Sequence, residues 1–366
     1  MNAALAHPLE RPVLIMAGGT GGHIFPGLAV ADELRQRGIP VVWLGARAGL
    51  EAQLVPKARI ALESLNIGGV RGKGLKTLLA APFQLLRAIF SASRVLSRVR
   101  PRSVLALGGF AAGPGGLAAF LHRIPLVVQE QNRVPGVTNR VLARLARVVM
   151  AGFSDAFPQV DNVRWSGNPV RAAIAALAPP AQRYSTRVDA PRLLILGGSL
   201  GAKALNSLLP AAIARLSPAL IPQVRHQCGA RHLAPARDAY VAAGVTAAVD
   251  SFIDDMAEAY AWADLVVCRA GALTLAELAA AGVASVLVPY PFAVDDHQTR
   301  NAQTLVEAGA AKLLPESEAS ALRIADLLEE LLGDRLQLLR MAEAARTLAK
   351  PDAAARIADA CLEVAL

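Results

Sequence analysis

Short apolar runs alternate along the chain with longer segments of helical periodicity, and glycine-rich turns join many of them. The first run, residues 13–17, leads into Gly18-Gly-Thr-Gly-Gly-His23 and a predicted helix over 24–37. A similar unit recurs about 180 residues later, where 193–196 leads into Gly197-Gly-Ser-Leu-Gly201. Strands that alternate with helices predict the α/β class with parallel sheets. The repeated unit predicts two similar domains facing each other across a cleft.

The remaining apolar runs extend this pattern through the chain. We expect one further αβ unit at 57–65. Further strands are expected at 41–44, 104–107, 126–129, 148–151, 223–227, 246–249, 265–268 and 285–288. The run at 148–151 is expected to be the last strand of the first domain. Helices are expected over 75–99, 138–145, 254–260 and 273–281, a glycine loop over 108–116, and mostly helix from Asn301 onward.

Length and composition limit the classes of protein. The chain has 366 residues, too many for one ordinary core, and a Pro- and Ala-rich hinge follows Gly167. Its three cysteines, odd in number and widely spaced, favour a reducing compartment and disfavour a zinc cluster. The first residues lack the basic and apolar regions of a secretion signal. The longest uncharged run, 104–121, contains five glycines and a proline and would make a poor membrane span.

Charge is distributed unevenly. The net charge is +9, yet the chain up to Val170 has 20 Lys/Arg and 8 Asp/Glu, whereas the remainder has 18 and 21. No acidic residue lies between Glu63 and Glu130, where nine Lys/Arg are found. This asymmetry predicts an anionic partner for the first half. Nucleic acid is disfavoured, because aromatic residues are only 4% of the chain and no recognition motif is visible.

The glycine loops predict anion sites, since bare backbone N–H groups and a helix N-terminus converge at each loop. An NAD site would also need an acidic residue near the end of the second strand. That strand ends in Trp43-Leu-Gly-Ala-Arg47, with no acid before Glu51, and the loop spacing is not G-x-G-x-x-G. The sequence therefore disfavours a dinucleotide cofactor, and we expect no cofactor and no obligatory metal.

Several polar residues lie at the predicted carboxyl edges of strands. His23 is either a helix-start residue bonded to its own loop or a base beside the site. Glu277 is either a first-turn carboxylate that favours the helix dipole or an acceptor for ribose hydroxyls. The run Asp295-Asp-His-Gln298 is either a surface loop or a set of sugar-binding groups.

An apolar stripe with basic neighbours runs along the helix predicted at 75–99. It consists of Leu75, Leu79, Phe83, Leu86 and Phe90 at helical spacing. Core packing is the ordinary explanation for such a stripe. The acid-free, basic surroundings over residues 73–94 favour a second explanation, an apolar patch that rests on an anionic membrane surface.

Seven motifs, in order, resemble the bacterial MurG family, the peptidoglycan N-acetylglucosaminyltransferases. The motifs are Gly18-Gly-Thr-Gly-Gly-His23, Gly108-Gly-Phe-x3-Pro-Gly115, Glu130-Gln-Asn132, Gly167-Asn-Pro-Val-Arg171, Gly197-Gly-Ser199, Phe252-Ile-Asp-Asp-Met256 and Gly271-Ala-Leu-Thr-x2-Glu277. The resemblance implies a GT-B fold with two doubly wound Rossmann-like domains. These would be an acceptor and membrane-associating domain (1–170, with a C-terminal helix in 350–366 packing back on it) and a UDP-GlcNAc-binding domain (171–349).

The resemblance also implies a reaction and a set of site residues. The enzyme would move GlcNAc from UDP-GlcNAc to the C4 hydroxyl of lipid I, with inversion, at the cytoplasmic face of the inner membrane. It would thereby serve cell-wall biogenesis, cell shape and division. Ile253 would meet uracil, Glu277 the ribose, and Gln298 the GlcNAc, and the 108–116 loop would meet the acceptor diphosphate. Further donor-site residues implied are Thr20, Gly21, Gly22, Asn132, Arg171, Ser199, Ala272, Leu273, Thr274, Leu275 and Ala276. Leu200 and Ala270 depart from the usual family pattern.

An inverting transfer needs a base for the acceptor hydroxyl, and His23 and Glu130 are the two candidates. Three other functions stay open on the sequence. They are another GT-B nucleotide-sugar enzyme such as a UDP-GlcNAc 2-epimerase or a diacylglycerol glycosyltransferase, an NAD(P) oxidoreductase, and a non-enzymatic membrane-binding protein.

Overall fold

The computed structural model describes residues 11–47, 49–65, 75–185, 187, 189–198 and 201–365, with the side chains of 75–81 and 294 left out. The chain divides into two compact units. Unit 1 comprises Met1–Val170 together with Lys350–Leu366, and unit 2 comprises Arg171–Ala349.

Each unit is built on a parallel sheet. The strands of unit 1 are β1 (Val13–Ala17), β2 (Val41–Ala46), β3 (Ala61–Leu65), β4 (Ser103–Gly108), β5 (Leu126–Glu130), β6 (Val148–Ala151) and β7 (Val163–Trp165). Those of unit 2 are β8 (Arg192–Leu196), β9 (Gln223–Gln227), β10 (Ala248–Asp250), β11 (Leu265–Cys268), β12 (Ala284–Leu287) and β13 (Ala311–Leu313).

Helices connect the strands. In chain order they are α1 (Gly21–Gln36), α2 (Glu51–Lys57), α3 (Leu75–Val99), α4 (Ala112–Leu121), α5 (Val137–Ala143), α6 (Ala172–Ala175), α7 (Pro180–Tyr184), α8 (Lys203–Ile213), α9 (Leu233–Ala243), α10 (Met256–Trp262), α11 (Ala272–Ala281), α12 (His297–Glu307), α13 (Ala321–Gly333), α14 (Arg335–Thr347) and α15 (Ala353–Glu363).

The two sheets share one topology. The strand order is β3-β2-β1-β4-β5-β6-β7 in unit 1 and β10-β9-β8-β11-β12-β13 in unit 2, so β1 and β8 occupy equivalent central positions. This is the doubly wound order, and the predicted α/β class is confirmed. Because all strands of a sheet run parallel, the loops that follow β1, β4 and β5 meet at one edge of the unit 1 sheet.

The last strand of unit 1 was predicted wrongly. The sheet does not end at β6, because β7 pairs with it in parallel, Val149 opposite Val163. Strand β7 is only three residues long, and its residues are half-buried or exposed. Such a short, partly solvated edge strand carries no apolar run, so the hydrophobic pattern does not reveal it.

Apolar side chains cover both faces of the unit 1 sheet. Along β1, Leu14 and Met16 join the core on one face, whereas Ile15 joins the core on the other. The second core also contains Ile357 from α15, and the Ser103 hydroxyl donates a 2.7 Å hydrogen bond to the Cys361 carbonyl. The C-terminal helix is therefore an integral layer of unit 1.

The predicted glycine loop at 108–116 is shorter than expected, because α4 already begins at Ala112. The glycines inside α4 allow close packing. A Cβ at Gly115 would lie 2.2 Å from the Met16 sulfur, and one at Gly116 would lie 2.6 Å from a Leu142 methyl. Pro114 is tolerated because it lies in the first turn of the helix, where an N–H has no intrahelical acceptor. Only residues 109–111 lie between β4 and α4.

Candidate active site

The loop after β1 places His23 in the first turn of a helix. Helix α1 begins at Gly21, three residues earlier than predicted, and Thr20 is its extended N-cap. Gly19 adopts φ +89°, a left-handed conformation that favours glycine. The N–H groups of Gly21 and Gly22 belong to the first turn and have no acceptor within the helix. Both explanations offered for His23 place it here.

The His23 ring is oriented by its own loop. Its Nδ1 lies 3.2 Å from the Gly18 carbonyl, which can only accept, so Nδ1 carries the proton and Nε2 is the free acceptor in the neutral ring. The ring lies against Gly108, where a Cβ would be 2.8 Å from Nε2. Burial lowers the pKa of His23, and this is partly opposed by Glu130, the bond to Gly18 and Glu51. A neutral imidazole at pH 7 is the form that accepts a proton.

A second glycine loop touches the first. Gly109 follows β4 with φ +85°, and a Cβ there would lie only 2.3 Å from the Gly18 carbonyl oxygen. No larger residue fits between the two backbones. The loops after β1 and β4 are thus in direct contact at the edge of the sheet.

Glu130 organises the loop after β5. Its carboxylate is 2% exposed and accepts hydrogen bonds from the Asn132 N–H and side-chain amide, at 2.9 and 3.2 Å. It also accepts from the Gly136 N–H at 3.1 Å and from the Asn139 amide at 2.9 Å. Four hydrogen bonds occupy the lone pairs that a general base would use. Asn132 is positioned by the same contacts.

Glu51 is a site residue that sequence reasoning missed. The residue is 1% exposed, and its carboxylate accepts from the Gly19 N–H at 3.2 Å and from the Ala46 N–H at 3.0 Å. A protein carboxylate therefore takes one of the N–H groups that the sequence assigned to an external anion. No spacing rule links Glu51 to the first glycine loop, because α2 brings the two together only in the folded sheet.

The equivalent loop in unit 2 follows β8. The N–H groups of Gly197 and Gly198 donate to the Gln227 carbonyl and side-chain oxygen, at 2.9 and 3.2 Å. Gly201 has φ +77°, and a Cβ there would lie 2.3 Å from the Cys228 carbonyl oxygen. The predicted contact residue Ser199 and the family departure Leu200 lie outside the described residues.

The start of α11 carries the other predicted donor residues. Gly271 is the N-cap without a side-chain cap, so the N–H groups of Ala272, Leu273 and Thr274 point out of the first turn, and Leu275 and Ala276 continue the helix. No acidic side chain occupies that turn. Backbone donors and the positive end of the helix dipole are therefore available to an anion.

Glu277 is held by two partners within unit 2. Arg171 donates to one carboxylate oxygen at 2.9 Å, and the Tyr260 hydroxyl donates to the other at 3.1 Å. Tyr260 is fully buried, which raises its pKa well above the ordinary value and keeps the donor proton in place. Sequence reasoning paired neither residue with Glu277. The carboxylate has a fixed orientation and is still partly accessible, its side chain being 14% exposed.

Gln298 joins two loops at the same sheet edge. Its side-chain oxygen accepts from the Ala270 N–H at 3.2 Å and from the Tyr290 N–H at 2.9 Å. This arrangement directs the amide nitrogen of Gln298 away from the backbone. Ile253, in the loop between β10 and α10, has a buried side chain, and Asp255 caps α10 two residues later by accepting from Glu258 N–H at 2.9 Å.

The structure thus groups the predicted residues by unit. The set Thr20, Gly21, Gly22, His23, Glu130 and Asn132 belongs to the sheet edge of unit 1. The set Arg171, Ile253, the start of α11, Glu277 and Gln298 belongs to unit 2. Within the described part of the chain, no three His, Cys, Asp or Glu side chains are placed to hold a metal ion.

Comparisons with known proteins identify the family. The glycosyltransferase family 28 N-terminal domain matches residues 13–151, and the family 28 C-terminal domain matches residues 192–357. Two curated UDP-N-acetylglucosamine–N-acetylmuramyl-(pentapeptide) pyrophosphoryl-undecaprenol N-acetylglucosamine transferases are similar to the chain over nearly their whole length. The Alkalilimnicola ehrlichii protein is 58% identical (98% of this chain, 100% of the relative), and that of Xylella fastidiosa is 57% identical (99% and 98%).

Solved structures agree. Acinetobacter baumannii MurG is 41% identical and superposes with a TM-score of 0.82 over 96% of this chain and 99% of its own. A UDP-GlcNAc 2-epimerase from Neisseria meningitidis superposes with a TM-score of 0.67 over 96% and 100%, but at 15% identity it shares the fold alone. The predicted GT-B fold with two Rossmann-like domains is confirmed. With two family 28 domains and full-length relatives at 57–58% identity, the chain belongs to the MurG family of N-acetylglucosaminyltransferases.

Proposed function

We propose that this enzyme transfers GlcNAc from UDP-GlcNAc to the C4 hydroxyl of the MurNAc residue in undecaprenyl-diphospho-MurNAc-pentapeptide, giving lipid II for peptidoglycan synthesis. The observation that carries the proposal is the 57–58% identity to transferases of that name over nearly the whole chain. The reaction inverts the anomeric carbon. One displacement is enough, in which the C4 oxygen attacks as UDP leaves.

His23 is the base in this proposal. Its Nε2 lone pair is free because Nδ1 is bonded to Gly18, and its lowered pKa keeps the ring neutral at pH 7. Glu130 is the weaker candidate, since its oxygens already accept four hydrogen bonds. When His23 takes the proton, the nearby carboxylates of Glu130 and Glu51 stabilise the imidazolium.

Unit 2 holds the donor. The α11 N-terminus receives the diphosphate on backbone N–H groups, which stabilise the charge that develops on leaving UDP. Glu277, fixed by Arg171 and Tyr260, accepts from the ribose hydroxyls. The Gln298 amide donates to GlcNAc, and the Ile253 backbone reads the uracil. Arg171 contributes indirectly, because its guanidinium is paired with Glu277.

A turnover assay tests the function. With UDP-GlcNAc and a short-chain lipid I analogue, we expect UDP release that requires both substrates and yields a disaccharide-linked lipid. UDP-GlcNAc alone should give neither UDP nor an epimer. Release of UDP or formation of an epimer without the acceptor would contradict the proposal and favour a hydrolase or a 2-epimerase.

Unit 1 also contacts the membrane in this proposal, at the cytoplasmic face of the inner membrane. Of the predicted stripe, Phe83, Leu86 and Phe90 are 71, 65 and 60% exposed on α3, so core packing is the wrong explanation for these three. Arg94 lies over the Phe90 ring at 4.6 Å. The side chains of Leu75 and Leu79 lie outside the described residues. None of the helices in the described ranges combines the length and the hydropathy of a membrane-spanning segment.

Replacing Phe83, Leu86 and Phe90 together with serine should weaken binding to anionic phospholipid vesicles by about tenfold or more, because each side chain loses apolar area that enters the interface. Vesicle co-sedimentation measures this. Turnover of a short-chain, water-soluble acceptor should be unchanged.

The matched control replaces three exposed apolar residues of unit 2, Val241, Leu322 and Leu336, with serine. They are 80, 59 and 67% exposed. Vesicle binding should then match the unaltered enzyme. Equal losses in both triple variants would contradict a specific membrane surface on α3.

A further inference from the structure

Glu51 is a buried carboxylate whose charge acts on His23, but its hydrogen bonds to two backbone segments have no part in the reaction as described so far. It is the first residue of α2, where the helix dipole favours a negative charge. Its two oxygens are shared between the backbones of two loops, one accepting from Gly19 and the other from Ala46. The carboxylate therefore ties the loop after β1 to the end of β2.

Three glycines make room for this carboxylate. A Cβ at Gly18 would lie 2.5 Å from one Glu51 oxygen, and a Cβ at Gly49 would lie 2.5 Å from the other. A Cβ at Gly45 would lie 2.9 Å from the Glu51 Cγ. The carboxylate is thus enclosed by glycine on three sides, and a larger residue at any of these positions would displace it.

The contact between Glu51 and Gly19 is adjacent in the chain to the contact that orients His23, the candidate base. Gly19 donates to Glu51, and the preceding carbonyl, Gly18, accepts from His23 Nδ1. A shift of the Gly18–Gly19 backbone would therefore move the ring or break the bond that fixes its tautomer. The charged groups that act on His23 are Glu51 from α2 and Glu130 from the end of β5, while the β4–α4 loop presents the Gly108 backbone to it.

We propose that Glu51 is a positioning residue for the transfer reaction: its buried carboxylate fixes the loop after β1 so that His23 keeps Nδ1–H on Gly18 and presents Nε2 to the acceptor hydroxyl. This inference rests on the proposed function and on His23 as its base. Glu51 itself touches neither substrate. It acts through the backbone and through its charge.

Three variants separate these two effects. Glu51→Gln removes the charge and introduces an amide N–H where an acceptor is needed. Glu51→Asp keeps the charge, but its side chain is one methylene shorter, so the carboxylate no longer reaches the loop after β1. Gly49→Ala keeps the glutamate at position 51, but the new Cβ displaces its carboxylate. The control is Glu63→Gln, a half-buried carboxylate on β3 that pairs with Arg98 at 2.5 Å.

In the lipid I analogue assay, we expect all three variants to lower kcat by about 10- to 100-fold, the size of effect that a small misplacement of a catalytic group produces. KM for UDP-GlcNAc should change less than threefold, because the contacts proposed above for uracil, ribose, diphosphate and GlcNAc are all made by unit 2. Glu63→Gln should leave both constants unchanged. Thermal unfolding checks that each variant is folded, and Gly49→Ala serves as the decisive variant if the two Glu51 changes destabilise unit 1.

A second readout does not require turnover. NMR of the six histidine Cε1–H groups, with His23→Ala assigning the His23 resonance, follows the ring directly. Removing a nearby negative charge disfavours the imidazolium, so Glu51→Gln should move the His23 titration to lower pH, while Glu51→Asp should move it much less. A wild-type enzyme without turnover would refute the proposed function and leave this test intact. An unchanged kcat in the three variants, or an unchanged His23 titration in Glu51→Gln, would overturn the positioning role.

Discussion

Replacing His23 with alanine is expected to lower kcat by about 10²- to 10⁴-fold, the usual contribution of a general base. KM for UDP-GlcNAc should change little, because His23 takes the acceptor proton only in the transition state and does not bind the donor in the ground state. The measurement is initial UDP release with saturating lipid I analogue. His122→Ala is the matched control, because His122 is an exposed residue at the end of α4. A loss below tenfold would remove His23 as the base.

The pH dependence of kcat/KM provides a second test of His23 as the base. Only the neutral ring accepts a proton, so kcat/KM should be level near pH 7 and fall as the pH drops through the pKa of His23. Burial lowers that pKa from the ordinary 6.5, so the fall should lie below this value. In His23→Ala the residual rate should lose this acidic limb. An acidic limb unchanged in the variant would assign it to another group.

Replacing Glu130 with alanine is expected to act mainly on stability. The change removes the acceptor of four hydrogen bonds, donated by the Asn132 N–H and side-chain amide, the Gly136 N–H and the Asn139 amide. Asn139 is buried, and a buried donor without an acceptor costs about 1–3 kcal/mol. The donors of half-buried Asn132 and exposed Gly136 cost less, because water can accept from them. A total near 3 kcal/mol should lower the Tm of unit 1 by about 6–12 °C, given about 2–4 °C per kcal/mol for a unit of this size. Calorimetry resolves the transition.

Glu363→Ala is the control for this experiment. Glu363 forms an exposed ion pair with Arg164 at 2.6 Å, and such pairs contribute about 0–1 kcal/mol. Its Tm should therefore change by no more than about 4 °C. A Glu130→Ala enzyme of normal stability whose kcat is lost a hundredfold would show that Glu130, and not His23, is the base.

The parts of the structure that the sequence predicts well are local. A strand, a glycine turn and a helix follow one another within about 25 residues at β1 and at β8, so periodicity and turn chemistry are enough to find them. The position of His23 at the start of α1 follows from the same signal. The α/β class and the doubly wound sheets come from repeating that unit.

The features that the sequence does not predict depend on contacts between residues far apart in the chain. Glu51 meets Gly19 across 32 positions, and Arg171 meets Glu277 across 106. The glycines of α4 signal a loop in the sequence, yet they permit packing on Met16 and Leu142. Helical spacing is the same for a stripe that faces the core and one that faces outward, so only the basic, acid-free surroundings pointed to the exposure of Phe83, Leu86 and Phe90.

The place of α15 has a consequence for biosynthesis. Unit 1 is assembled from both ends of the polypeptide, so the ribosome finishes unit 2 before it makes the last layer of unit 1. During translation one face of the first sheet is covered only in part, by α1 among other segments, until Ile357 and its neighbours are synthesised. Deletion of α15 would therefore expose part of the core of unit 1, which is translated first, and would leave unit 2 intact.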